Sequence, residues 1–187
     1  MDIRRFEIAG LVEFTPRVHG DARGYFAETF RADLFVRECG AATFVQDNQS
    51  LSAAPGTIRG LHFQTLPRAQ GKLVRCLAGA VLDVAVDLRR GSPSFGQWAG
   101  VELSAAKLNA LWVPVGFAHG FCTLVPDTIV GYKVTDTYSP EHDRGLAWDD
   151  PALGIVWPAC ADPDLLSAKD RVQPRLADLP PLFAWEG

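Results

Sequence analysis

The stretch Val81-Leu82-Asp83-Val84-Ala85-Val86-Asp87-Leu88 contains the longest apolar region of the chain, and its polar residues recur at regular positions. In an extended chain its four even-numbered aliphatic residues share one face, and its two aspartates lie on the other. Gly79-Ala80 before it and Arg90-Gly91-Ser92-Pro93 after it are typical of turns. The stretch therefore predicts a β-strand bounded by turns.

Working outward from this strand, the same criteria predict several more short strands and few helices. The further strands are Lys72–Leu77, Gln97–Leu103, Ala110–Val113, Phe121–Leu124 and Ile129–Thr135. One helix is predicted over Arg31–Cys39 with Gly40 as its C-cap, and a helical turn over residues 162–166. Turn signals recur about every 8–12 residues, as in sandwiches and barrels. We therefore expect a single mainly β domain over residues 1–187, a jelly-roll barrel first and an immunoglobulin-like sandwich second.

Composition excludes some classes of partner. The 187 residues carry a formal charge of −4, so the chain has no overall attraction for nucleic acid or an anionic membrane surface. An anionic ligand must be held by a local cluster of cations. The N-terminus has no signal-peptide pattern, and no run approaches the roughly 20 apolar residues of a membrane span.

The four cysteines are widely spaced and form no C-x-x-C pair. This spacing favours free, mostly buried thiols in a reducing cytoplasm. A disulfide in an exported protein is the less favoured alternative.

A dense group of cations surrounds the segment Gly56–Gln64. Its members are Arg59, His62, Arg68, Lys72 and Arg75. If the segment is a regular strand, Arg59 alternates with the apolar residues and His62 lies on the opposite face. Concentrated positive charge in an acidic chain points to a phosphate-bearing ligand. Scattered surface charge is the alternative.

His119 lies between aromatic residues in a segment bent by glycines and by Pro114. Glycine often occurs where the backbone passes close to a ligand. The alternative is a core histidine in a tight turn.

Metal and nucleotide-hydrolysis motifs are absent from the sequence. There is no His-x-His pair, and the histidines are isolated, whereas zinc or iron needs about three well-placed ligands. Neither the phosphate-loop pattern nor the dinucleotide fingerprint occurs. We therefore expect no metal and no cofactor.

An ordered set of motifs over residues 11–176 resembles the dTDP-4-dehydrorhamnose 3,5-epimerase family, a branch of the cupin-like jelly rolls. The motifs are Asp21-x-Arg23-Gly24-x-Phe26-x-Glu28, Gln46-Asp47-Asn48, Arg59-Gly60-Leu61-His62-x-Gln64, Lys72-Leu73-Val74-Arg75, Asp83-Val84-x-Val86-Asp87-Leu88-Arg89, Gly91-Ser92-Pro93-x-Phe95-Gly96, Pro114-x-Gly116-Phe117-Ala118-His119-Gly120-Phe121, Tyr132-Lys133, Tyr138-Ser139-Pro140-Glu141 and Leu166-Ser167-x-Lys169-Asp170.

The resemblance implies a reaction and catalytic residues. The family inverts C3 and C5 of dTDP-4-dehydro-6-deoxy-D-glucose without a cofactor, giving dTDP-4-dehydro-L-rhamnose. It implies His62 as the base and Asp170 as its carboxylate partner. It also implies Tyr132 as the acid and Lys72 beside the keto oxygen.

The resemblance further implies a set of substrate-binding positions and an assembly. The positions are Arg23, Phe26, Glu28, Gln46, Asp47, Asn48, Arg59, His119, Tyr138, Asp143 and Lys169. Tyr138 matches the aromatic residue that stacks on the thymine. The assignment of Asp143 is the weakest, because the pattern after Pro140-Glu141 departs from the family's. The family forms a homodimer whose N-terminal segment crosses to the partner, so Arg23 and Glu28 are expected at the neighbouring site.

These residue types suit the chemistry independently of the resemblance. A C4 ketone acidifies the protons at C3 and C5, a neutral imidazole can remove one, and a cation can stabilise the enolate. Inversion then needs a proton donor on the opposite face of the sugar. Four alternatives stay open: inversion at one carbon only, keto migration, a binding module without turnover, and a metal-dependent cupin.

Overall fold

The strands of the computed structural model, which describes residues 1–185, form two large antiparallel sheets. In chain order they are β1 (Asp2–Arg5), β2 (Val12–Thr15), β3 (Val18–Asp21), β4 (Gly24–Ala27), β5 (Gln46–Ser52), β6 (Ile58–Gln64), β7 (Lys72–Ala78), β8 (Ala80–Asp87), β9 (Arg89–Arg90), β10 (Trp98–Ser104), β11 (Ala110–Val113), β12 (Phe117–Thr123), β13 (Thr128–Val134), β14 (Asp143–Gly145) and β15 (Phe183–Ala184). The helix α1 spans Ala32–Cys39, and single 3-10 turns span Pro163–Leu165, Asp170–Val172 and Leu176–Asp178.

The first sheet has the strand order β1-β2-β11-β7-β13-β5, and the second has the order β10-β8-β12-β6-β14. The hairpin β3–β4 and the parallel pair β9–β15 are separate two-stranded sheets. Two facing antiparallel sheets confirm the predicted mainly β, jelly-roll architecture. The expected domain over residues 1–187 includes Glu186 and Gly187, which lie outside the described residues.

Most predicted elements lie within one or two residues of the observed ones, but β12 begins four residues earlier than predicted. The turn lies at Pro114–Gly116, where Gly116 has a φ of +94°, so His119 lies within the strand and not in the turn. Helix α1 starts one residue later than predicted. Gly40 follows it as expected, and its N–H donates to the carbonyl of Val36 at 3.0 Å.

Strand β8, which lies between β10 and β12, is buried on both faces. Val84 and Val86 pack against Leu61 and other apolar residues on the outer face of the second sheet. The opposite face turns toward the first sheet, and Asp83 on that face is completely buried. The predicted alternation is confirmed, and the face that carries Asp83 points into the space between the sheets.

An apolar core fills much of the space between the sheets. It includes Val74, Leu111 and Val130 of the first sheet and Val101 and Phe121 of the second. Tyr132 packs at its edge, where polar side chains from both sheets begin. The fold therefore leaves a polar cleft between the two sheets, beside the apolar core.

No helix within residues 1–185 has the length and apolar character needed to cross a membrane. All four cysteines are free, as expected, although Cys160 is exposed and only two of the others are fully buried.

Candidate active site

A cleft of about 470 Å³ lies between the two sheets, and seven of the fifteen site residues predicted from the sequence line it. It is lined by Ser50, Thr57, Ile58, Arg59, His62, Lys72, His119, Phe121, Tyr132, Leu165, Ser167, Lys169 and Asp170. All four residues expected to be catalytic line it.

A β-bulge brings Arg59 and His62 to the same wall of this cleft. His62 pairs with His119, and Arg59 pairs with Phe121, so two residues of β6 lie opposite the single residue Gly120. The extra residue reverses the alternation of side chains along the strand. The expectation that Arg59 lies on the face opposite His62 is therefore wrong.

Glycine is required at the bulge. Gly60 has a φ of +119°, a region that side chains with a Cβ disfavour. A Cβ there would lie 2.8 Å from both the Cα of Gly120 and the carbonyl oxygen of His119. The glycine thus allows two neighbouring strands to approach closely. The bulge at this position changes the face on which the following side chains lie.

His62 is paired with a buried carboxylate. Its Nε2 lies 2.5 Å from Oδ1 of Asp170, which is 4% exposed. Burial acts to raise the pKa of the Asp170 carboxyl. The hydrogen bond and positive charge of His62 act against it, and the pKa lies below its ordinary value. With Nε2 bonded to the carboxylate, Nδ1 is the ring nitrogen left to exchange a proton.

Lys72 and Tyr132 stand on the opposite wall, formed by the first sheet. In the β13–β7 pairing Tyr132 is opposite Val74 and Val134 is opposite Lys72, so the two polar side chains share one face as diagonal neighbours. Tyr132 therefore faces His62 from across the gap between the sheets.

The environment shifts the pKa values of both groups on this wall. Lys72 is buried, and its Nζ donates to the carbonyl of His62 at 3.2 Å. Burial lowers its pKa to about 8, against the opposing charges of Asp143 and Asp83. Burial likewise raises the pKa of the Tyr132 phenol, and the charge of Arg59 opposes that shift. Tyr132 thus keeps its proton at neutral pH.

A second histidine–carboxylate pair lies deeper in the cleft. Nε2 of His119 is 3.0 Å from both carboxylate oxygens of Asp83. His119 is therefore a strand residue that lines the cleft and contacts a buried acid. The sequence interpretation missed Asp83 as a site residue, although an acid within the most apolar strand was the signal that could have found it.

The mouth of the cleft is a network of polar side chains. Nε2 of Gln46 donates to Oδ1 of Asn48 at 2.8 Å, and Oε1 of Gln46 accepts from the backbone N–H of Tyr138 at 3.0 Å. The Tyr138 hydroxyl donates to Oδ2 of Asp143 at 3.0 Å, and Lys169 forms an ion pair with the same carboxylate. These five residues, predicted to bind substrate, therefore lie together.

Asp47 does not join this group. Neighbouring residues of β5 alternate between faces, and Asp47 lies on the outer one, where it pairs with Lys133 at 2.9 Å. Its side chain is 69% exposed. The prediction that Asp47 binds substrate beside Gln46 and Asn48 is therefore not supported by its position in this chain.

The residues predicted from the N-terminal motif lie outside the cleft of their own chain. The hairpin β3–β4 projects Arg23, whose side chain is 90% exposed, together with the exposed Phe26. Glu28, just beyond the hairpin, lies 3.9 Å from Arg31. Within residues 1–185, none of these three side chains lines the cleft that contains His62.

Among residues 1–185, no group of three or more His, Cys, Asp or Glu side chains is arranged to hold a metal ion. The two histidines of the cleft each contact one carboxylate and belong to separate pairs.

Comparisons with known proteins show which family the chain is similar to. A family model described as dTDP-4-dehydrorhamnose 3,5-epimerase matches residues 5–178. A dTDP-4-dehydrorhamnose 3,5-epimerase of Sinorhizobium fredii is 55% identical over 185 residues, covering 99% of this chain and 94% of that protein.

Two solved structures bear on the cleft. The Legionella pneumophila dTDP-6-deoxy-D-glucose-3,5-epimerase in complex with dTDP-4-keto-L-rhamnose has a TM-score of 0.92 and 42% identity, covering 100% of this chain and 99% of that one. A 3′-monoepimerase from Streptomyces bikiniensis in complex with dTDP-quinovose has a TM-score of 0.85 and 36% identity, covering 92% of this chain and 86% of that one.

Proposed function

This chain belongs to the dTDP-4-dehydrorhamnose 3,5-epimerase family, and we propose that it inverts C3 and C5 of dTDP-4-dehydro-6-deoxy-D-glucose to give dTDP-4-dehydro-L-rhamnose. The observation that carries this proposal is the placement of His62 and Tyr132 on opposite walls of one cleft. A sugar ring between them has a base on one face and an acid on the other, which is what inversion of a carbon centre requires.

His62 removes the proton. The C4 ketone acidifies the hydrogens on both flanking carbons, so a neutral imidazole is a strong enough base. Asp170 holds the Nε2 proton in place and stabilises the imidazolium that forms. The ketone itself takes up the electron pair as an enolate, and the reaction therefore needs no metal or organic cofactor.

Lys72 stabilises the enolate. A buried ammonium group interacts with a developing negative charge more strongly than a solvated one does, because little water screens it. Tyr132 then delivers a proton from the far side. Its buried phenol is still protonated at neutral pH and is available as the acid.

We expect the rate to fall as the pH rises through about 8, the pKa to which burial lowers Lys72. Below that pH the ammonium is charged and stabilises the enolate, and above it the charge is lost. Tyr132 cannot cause this limb, since its pKa is raised. The measurement is kcat/KM against pH, which reports groups of the free enzyme.

The matched variant is Lys72→Met, which keeps an unbranched side chain one atom shorter and removes the ammonium group. Its rate should fall about 10²–10³-fold, the usual cost of removing one such stabilising group, and the limb near pH 8 should vanish. If the fall in rate near pH 8 persists unchanged in Lys72→Met, a group other than Lys72 causes it.

The nucleotide is bound by the remaining polar residues of the cleft and its mouth. Arg59 and Lys169 supply cations for the diphosphate in a chain whose net charge is negative. His119 lines the same pocket, and Gln46 and Asn48 offer amide groups at the mouth. The half-exposed ring of Tyr138 is the platform on which the thymine stacks.

The enzyme works as a homodimer in which each hairpin β3–β4 completes the partner's cleft. Support comes from the hairpin itself, which projects a cation and two aromatic side chains, Tyr25 and Phe26, into solvent. Arg23, Phe26 and Glu28 then contact the nucleotide bound by the neighbouring subunit.

Mixing two inactive variants tests this assembly. A mixed dimer of Arg23→Ala and His62→Ala has one cleft that contains His62 and receives an intact Arg23. Random exchange of subunits should restore about a quarter of the wild-type sites. Activity no higher than the sum of the separate variants would show that each site is complete within its own chain.

The reaction takes place in the cytoplasm, in keeping with four cysteines that are all free.

The product distinguishes the proposed reaction from its nearest alternative. After incubation with dTDP-4-dehydro-6-deoxy-D-glucose, proton NMR coupling constants report the configuration at C3 and C5. Inversion at both carbons is expected, and inversion at one carbon would indicate a mono-epimerase, the activity named for the similar Streptomyces bikiniensis structure. No conversion, with dTDP still bound, would indicate a binding module.

A further inference from the structure

Gln64 is a buried polar residue that has no part in the reaction described above. It ends strand β6, two residues after His62, and is 4% exposed. Its amide forms three hydrogen bonds, all to backbone groups. Nε2 donates to the carbonyls of Arg68 at 2.6 Å and Thr137 at 3.2 Å, and Oε1 accepts from the N–H of Ser139 at 2.7 Å.

Two of these three partners flank Tyr138 in the chain. Gln64 thus fixes the backbone on both sides of that residue, while Oε1 of Gln46 accepts the N–H of Tyr138 itself. The ring has little packing to hold it, because Tyr138 is 56% exposed. Its position therefore depends on the hydrogen bond from its hydroxyl to Asp143 and on how the backbone beneath it is held.

We propose that Gln64 is a positioning residue for nucleotide binding, which presets Tyr138 as a platform for the base by holding the backbone of Thr137 and Ser139. This inference rests on the proposed function, in which Tyr138 stacks on the thymine. A loop that is ordered before the ligand arrives loses less conformational entropy on binding, so preorganisation raises affinity without any new contact.

The chemistry of the side chain explains why this position takes glutamine. Its NH₂ group can donate to two carbonyls while its oxygen accepts from one N–H, so each partner is satisfied. Glutamate would keep the acceptor for Ser139 but would place an oxygen against two carbonyl oxygens. Methionine would keep the length and lose all three hydrogen bonds.

The test compares two ligands in the Gln64→Met variant by titration calorimetry. The dissociation constant for dTDP should rise about 5–30-fold, as expected when buried hydrogen bonds that order a loop are lost. That for inorganic pyrophosphate should stay within about twofold, because pyrophosphate has no base to stack. KM for the nucleotide sugar should rise with kcat little changed.

A matched control is Gln70→Met. Nε2 of Gln70 donates to the carbonyl of Asp136 at 2.7 Å, in the same loop but one residue before the backbone that Gln64 holds. This variant should bind dTDP nearly as the wild type does. An equal loss of affinity in Gln70→Met would mean general loosening of the loop and would overturn the proposal.

A double-mutant cycle with Tyr138→Ala isolates the mechanism. If Gln64 acts through Tyr138, the Gln64→Met change should cost no further dTDP affinity once the ring is removed. Equal losses for dTDP and pyrophosphate, or a full additional loss in the double variant, would overturn the proposal. Should Gln64→Met fold poorly, Gln64→Glu takes its place in both measurements.

Different outcomes would refute the positioning role of Gln64 and the proposed function. Wild-type protein that does not bind dTDP would refute the function. Wild-type protein that binds dTDP, with unchanged affinity in Gln64→Met, would refute only the positioning role.

Discussion

His62→Ala abolishes exchange of the sugar's C3 and C5 hydrogens with solvent and leaves dTDP binding nearly intact. The expected loss of rate is at least about 10³-fold, within the range for removing a general base. Binding survives because the cations of the cleft, Arg59 and Lys169, are untouched. Exchange is followed by NMR in D₂O, and binding by titration calorimetry.

Chemical rescue provides the control for this variant. Removing the imidazole leaves a space beside Asp170, and imidazole added to the buffer should enter it and restore part of the exchange. Exchange in His62→Ala at more than about a tenth of the wild-type rate would show that another group is the base.

Tyr132→Phe should separate proton removal from inversion. The variant keeps the ring and its packing against the core but loses the phenolic proton. His62 can still remove hydrogen and return deuterium on its own face, so label enters the sugar with retained configuration. Conversion to product should fall about 10²-fold or more, the usual loss when a general acid is removed, whereas exchange should fall far less.

The matched control is Thr128→Val, which removes a buried hydroxyl from the same strand, β13, at a residue that does not line the cleft. It should convert substrate at close to the wild-type rate. If exchange and inversion fall together in Tyr132→Phe, Tyr132 is not acting only as the acid that reprotonates the far face.

Local periodicity predicted much of the architecture. The alternation in β8 and the helix ending at Gly40 depend on residues close together in the chain, and both were found. The surroundings of a strand or helix, in contrast, depend on residues that are far away in the sequence. Asp83 could not be recognised as a buried partner of His119 without knowing that a second sheet covers its face.

The bulge in β6 is a second limit of sequence reasoning. Gly60 signals a bend. The side chains that follow it change face because β6 has two residues where its partner strand β12 has one. Gly120, which lies opposite the bulge, is 60 positions away in the sequence. A prediction from strict alternation therefore placed Arg59 and His62 on opposite faces of the strand, whereas the bulge places them on the same face.

The candidate site was predicted largely through ordered motifs and not through local structure. His62, Lys72, Tyr132 and Asp170 come from four separate segments, and only the packing of the two sheets brings them into one cleft. Asp47 shows the opposite case. It lies between two residues at the mouth of the cleft, yet strand alternation turns it to the other face.

We propose that one cleft removes and replaces hydrogens on both carbons that flank the C4 ketone. The most direct test is incubation of dTDP-4-dehydro-6-deoxy-D-glucose with the enzyme in D₂O, followed by proton NMR and mass spectrometry of the sugar. We expect deuterium at both C3 and C5, with both centres inverted. Deuterium at one carbon only, or at neither, would contradict it.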